Sequence, residues 1–157
     1  MASTVNIEQF KRALGNFPSG ITIITTSYDN KLFGLTVSSF TSVSLFPPLI
    51  LFCINKQAPS IKAFTNSKYF AVSILADNQA ALSRHFAHHH FDKFASILYN
   101  LGVSSKCPLI DGAVCHIECN KFNQYSAGDH IIVIGEVINT AVNNELKPLI
   151  YHRESKW

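Results

Sequence analysis

A mainly β fold, a small antiparallel β-barrel of Greek-key type with peripheral helices, is predicted by three features of this sequence. Short β-branched and aromatic runs bounded by turn residues outnumber the helical stretches. The helical stretches fall at edges and corners and do not alternate with the strands, which disfavours a parallel doubly wound sheet. No glycine-rich turn joins a strand to a helix and no Gly-Lys-Ser/Thr loop occurs, so any nucleotide must be held by another kind of surface.

The opening reads as a helix. Asn6 is placed to cap it, Gln9 stands at the capping-box position, and Ile7, Phe10, Leu14 and Phe17 recur at helical spacing until Gly15 and Pro18 stop it. Strands are then expected at 21–26, 32–37, 40–45 and 49–54. Asp29-Asn30, between Tyr28 and Lys31, is turn chemistry, and Pro47-Pro48 cannot extend a central ladder and so marks a break. Residues 60–65 suit a short helix and 69–75 an apolar strand. Asp77 is expected to cap a helix carrying Ala81, Leu82 and Phe86, which leads to a histidine-rich loop and a Phe91-Asp-Lys-Phe94 turn. Long strands at 113–120 and 130–141 and a short one at 149–151 complete the set.

With 157 residues and no internal repeat or low-complexity linker, the chain is expected to be a single domain over 1–157, long enough to bury a core without staples. Only 15% of residues are charged while 47% are hydrophobic, which suggests that a partner covers part of the surface; a homodimer is the simplest candidate. A scattered net charge of +3 is too weak for a nucleic-acid footprint but suits a small anionic ligand. No apolar run approaches a membrane span and no signal segment leads the chain, so the expected location is cytoplasmic.

Cys53, Cys107, Cys115 and Cys119 lack paired Cys-x-x-Cys spacing and are read as reduced thiols. In a strand, Cys115 and Cys119 share a face that His116 does not, which argues against a metal there. Nor can three consecutive histidines, His88 to His90, all face one ion on a regular element. No metal site is expected.

The segment Gly34-Leu-Thr-Val-Ser-Ser-Phe-Thr-Ser-Val-Ser-Leu-Phe-Pro-Pro-Leu49 fills strand-like sequence with small hydroxyl residues where packing alone favours large apolar ones. It suits a strand facing a polar planar ligand, or an ordinary Ser/Thr-rich strand pair. Around it stand Ala13-Leu-Gly-Asn-Phe-Pro-Ser-Gly-Ile-Thr-Ile-Ile-Thr-Thr26, Leu49-Ile-Leu-Phe-Cys-Ile54, Phe70-Ala-Val-Ser-Ile-Leu75, then Gln79, Leu82, Ser83, Phe86 and Ala87, and later Gly128-Asp-His130. In this order, from Phe10 to Arg153, the chain resembles the flavin reductase-like family of FMN-binding split barrels.

The resemblance implies an NAD(P)H:flavin oxidoreductase that reduces FMN, with FAD as the alternative flavin and NADH or NADPH as donor. It further implies a homodimer that supplies reduced flavin to a partner monooxygenase. Thr36, Val37, Ser38, Ser39, Ser42 and Ser44 would lie along the flavin, while Asn55, Lys56 and Ser60 would cradle its phosphate. Arg84 would clamp that phosphate and Phe86 and Ala87 would wall the ring, Phe86 being equally at home in a core. His130 is the candidate for the nicotinamide step, and Tyr151 and Arg153 would reach the site or a dimer contact. Two departures stand out: Phe46 precedes the prolines where the family carries a small acidic or polar residue, and the Tyr-x-Arg segment lacks a further aromatic. A tight flavoprotein that carries electrons or senses, without efficient NAD(P)H turnover, is the rival reading. A pyridoxamine-phosphate oxidase-like barrel is disfavoured by the Thr-x-Ser-Ser and Gly-Asp-His matches.

Overall fold

The computed structural model describes residues 5–89 and 92–153. Helix α1 (Ile7–Leu14) begins as its sequence predicts, with Asn6 Oδ1 accepting from Gln9 N at 3.0 Å and so satisfying a free donor of the first turn. It buries none of its residues. Ile7, Phe10 and Leu14 face solvent, and Phe17 just beyond is 77% exposed.

The strands are β1 (Ser19–Gly20), β2 (Thr22–Tyr28), β3 (Lys31–Val37), β4 (Thr41–Leu45), β5 (Pro48–Asn55), β6 (Tyr69–Ile74), β7 (Tyr99–Leu101), β8 (Pro108–Ile110), β9 (Cys115–Ala127), β10 (His130–Val142) and β11 (Ile150–Tyr151). Seven of them form one antiparallel sheet in the order β3-β2-β6-β9-β10-β5-β4, while β1 pairs with β11 and β7 with β8. Asp29 and Asn30, at φ 51° and 57°, join β2 to β3 in the doubly left-handed turn whose twist matches a tight hairpin.

The sheet is rolled around a single cluster. Ile24, Val37, Phe52, Val72, Cys119 and Val133, from six different strands, all enter it, and Phe52 meets Phe64 of helix α2 (Ile61–Asn66) and Phe70 edge to face. β3 and β4 follow one another in sequence, yet each is an edge of the sheet and no ladder joins them. The barrel is therefore split, and Ser38-Ser39-Phe40 cross the seam.

A second cluster lies on the opposite face of β2. Ile23 alternates with Ile24 and so points outward, to join Leu75, Ile110, Phe94 and Phe86 of helix α3 (Ala80–Ala87). Burial on both faces explains why β2 reads as a continuous apolar and threonine run. Helix α3 lies close to β3: a Cβ on Gly34 would come within 2.6 Å of the Phe86 ring, so only glycine permits this approach.

Three expectations need correction. Asp77 does not cap α3: its N–H is taken by Lys147 O at 2.8 Å, a 3-10 turn over Asp77–Gln79 intervenes, and Gln79 precedes the helix. β9 runs seven residues past the expected end at 120, carried by its ladder with β10. The short strands β7 and β8 fall in a stretch read as loop.

Candidate functional site

A cavity of about 990 Å³, at the upper end of the range for small-molecule sites, opens between β3, the C-terminal end of α3, residues 92–95 and the 58–60 loop. Among the expected ligand residues it takes Thr36, Ser60, Phe86 and Ala87 as lining. Thr36 Oγ1 donates to Ser83 O at 2.6 Å and ties β3 to α3. Ser60 precedes α2 and makes no capping bond with its side chain, so its hydroxyl is available to a ligand. Phe86 is wholly buried and forms the floor of the cavity as part of the second core cluster. Arg84 is exposed on the same helix.

The cavity also contains residues that sequence reasoning missed. Lys93 is half-buried, with Nζ donating to Phe86 O at 2.7 Å and Gly34 O at 3.2 Å, and burial pushes its pKa down from the ordinary 10.5. Lys31 and Lys93 against Asp92 give the lining a cationic balance, and Tyr99 and Phe33 supply aromatic surface. A lysine set between Phe91 and Phe94 was the available signal, because a long apolar stem packs where aromatic residues do.

A second group gathers along the seam and the end of β5. Ser39 Oγ accepts from Cys53 N at 3.0 Å and donates to Cys53 O at 3.2 Å, so this hydroxyl ties the β3–β4 connection to the edge of β5. Val37 points into the core, and Ser38 is exposed beside it. Ser42 and Ser44 lie on edge strand β4 on either side of a bulge. Asn55 Oδ1 accepts from Gln57 N at 2.7 Å, which shapes the loop after β5. Lys56 Nζ donates to Gly128 O at 2.6 Å and Lys56 N donates to Asp129 O at 2.9 Å.

His130 starts β10 opposite Asn55. Its Nδ1 lies 2.7 Å from Asp129 Oδ1; a carboxylate only accepts, so Nδ1 carries the hydrogen of this contact. That hydrogen bond, and then the histidine's charge, hold the Asp129 carboxyl below its ordinary value. Because Ala58 N bonds Asn55 O at 3.0 Å and residues 58–60 line the cavity, one loop connects the cavity to the His130 turn.

The remaining expected residues are elsewhere. Tyr151 and Arg153 share a shallow depression with Lys11, Arg12 and Gly15, and Arg153 N donates to Gly15 O at 3.1 Å. They belong to the α1 side of the molecule. In the histidine run, His88 Nδ1 shares a hydrogen bond of 2.7 Å with Arg84 O, while His90, like Phe91 of the expected turn, lies outside the described residues.

The arrangement offers hydroxyls, cations and aromatic surface around a large cavity, connected to a histidine beside it. Such a lining fits a flavin nucleotide: cations for phosphate, hydroxyls for a polyol chain, apolar walls for a ring. The family model for the flavin reductase like domain matches residues 14–156. An NADH-dependent FAD reductase of Streptomyces globisporus is 44% identical over 134 residues, covering 83% of this chain and 73% of that protein. The reductase subunit HsaB of a flavin-dependent monooxygenase from Rhodococcus jostii is 34% identical over 152 residues, covering 97% and 77%. Among solved structures, the Streptomyces globisporus NADH:FAD oxidoreductase SgcE6 with NAD and FAD fragments superposes with a TM-score of 0.90 at 40% identity, covering 96% of this chain and 93% of that one.

Proposed function

The chain belongs to the flavin reductase-like family, and we propose that it reduces a flavin with NAD(P)H and passes the reduced flavin to a separate flavin-dependent monooxygenase. The observation that carries the reading is the 55–60 loop, whose far end lines the cationic cavity and whose near end holds the His130 turn. A flavin nucleotide, when bound, supplies the hydride acceptor. The chain's own residues then need only bind and orient. Ser60, Lys93 and Arg84 would hold the phosphate, Thr36 and Ser38 the polar edge of the flavin, and His130 the nicotinamide side.

Mixing the pure protein with NADH and excess free FMN tests this reading. Oxidation of NADH should continue for many equivalents beyond the bound flavin. A halt after one equivalent would instead favour the electron-carrier reading.

We further infer a homodimer as the active unit. An amphipathic helix normally buries its apolar face, and α1 leaves Ile7, Phe10 and Leu14 exposed beside Phe17, as expected of a surface that meets a second copy. Sedimentation at micromolar concentration should give a dimer. A monomer with full turnover would remove the dimer as a requirement. The cytoplasm suits this chemistry, because it supplies reduced nicotinamide and keeps thiols such as the four free cysteines reduced.

A further inference from the structure

We propose that Lys56 is a positioning residue for His130, acting through the Gly128-Asp129 turn and not on the flavin phosphate; the inference rests on His130 serving the nicotinamide step. The turn is a two-residue hairpin loop with Gly128 at φ +58°, and a Cβ built on Gly128 would meet no atom within 4 Å. Packing therefore does not fix its tip. Residue 56 does so from both of its donors, since Nζ donates to Gly128 O at 2.6 Å and the backbone N–H donates to Asp129 O at 2.9 Å.

The consequence passes down the turn to the imidazole. Asp129 Oδ1 takes the hydrogen of His130 Nδ1, so the rotation of the Asp129 peptide sets where the carboxylate sits and hence how the ring is aimed. The ladder from His130 to Asn55 anchors the backbone of the strand, leaving the turn itself to Lys56. Lys56 does not line the 990 Å³ cavity, whereas Lys93 and Ser60 do. Lying outside the cavity lining, with its ammonium on Gly128 O, Lys56 is placed to hold the turn.

The test compares Lys56→Met, Lys56→Arg and His130→Ala, singly and with Met combined with Ala. Stopped-flow reduction of bound FMN by NADH is measured beside titrations of FMN and riboflavin. Lys56→Met keeps the apolar stem, and its exposed position should leave the melting temperature at wild type. It should slow reduction at saturating NADH by about 10-fold, since small misplacements of an orienting group carry penalties of this order. FMN and riboflavin affinities should stay within twofold, Lys56→Arg should recover most of the rate, and Lys56→Met should add little in the His130→Ala background. Weaker FMN binding with riboflavin unchanged and reduction intact would overturn the proposal in favour of a phosphate ligand. So would full additivity of the two substitutions, or normal reduction in Lys56→Met while His130→Ala is slow. If His130→Ala is itself normal, the reading of His130 fails and the proposal with it.

Discussion

Replacing His130 by alanine should slow reduction of bound flavin by NADH about 10- to 100-fold, or raise the NADH concentration required, while flavin affinity remains near wild type. His130 stands at the head of β10, its side chain 41% exposed, beside the loop that leads to the cavity. A hydride passes only between rings at contact distance, so a residue that orients the dinucleotide acts on the reduction step and leaves flavin binding alone. The Asp129 contact engages Nδ1 and leaves the Nε2 edge of the ring facing away from the carboxylate. Stopped-flow absorbance of the flavin measures the reduction rate, and an FMN titration of the same variant measures affinity. Loss of affinity alone, or no change at all, would make His130 a structural turn residue.

The parts of the fold that the sequence made legible are those settled by local chemistry. Asn6 caps α1 and Asp29-Asn30 turn the first hairpin because both act on neighbouring backbone, and the double-sided burial of β2 is visible in its unbroken run. What stayed hidden depends on distant partners. β8 is positioned by Thr25 Oγ1 donating to Pro108 O and by Ser73 Oγ accepting from Ile110 N, contacts between residues far apart in sequence. The site divides in the same way. Thr36, Ser60 and Ala87 were reached through motif order, whereas Lys93 acquires its place only when α3 approaches Gly34. Tyr151 and Arg153 lie on the α1 side because β11 pairs with β1, a placement that depends on a partner strand far away in sequence.

The largest effect on stability should come from Glu118, a carboxylate 2% exposed near the start of β9. Its Oε2 accepts from Ser104 N at 3.0 Å, Ser105 N at 2.6 Å and Ser105 Oγ at 2.7 Å, and its Oε1 accepts from Asn139 Nδ2 at 2.8 Å. One side chain thus fastens the β7–β8 connection to the main sheet. Burial pushes the carboxyl pKa up, but these four hydrogen bonds outweigh it and hold the group below its ordinary 4.5. The stabilisation is therefore complete above the ordinary carboxylate value and is lost as pH falls through the lower folded-state value. Glu118→Ala leaves several donors without a partner at about 1–3 kcal/mol each, a large share of the ~5–15 kcal/mol that holds a domain folded. Urea denaturation should show a loss of at least about 3 kcal/mol, and Glu118→Gln, which keeps the shape and some acceptors, should lose less. A second signal should come from Cys107, whose N–H donates to Ser105 Oγ at 3.2 Å and whose thiol pKa burial pushes up. Loosening the connection should speed its reaction with a thiol reagent at neutral pH, read by mass mapping of the labelled cysteine. Unchanged denaturation and labelling in Glu118→Ala would mean that the connection is held by the packing of Ile110 and Phe94 and not by this carboxylate.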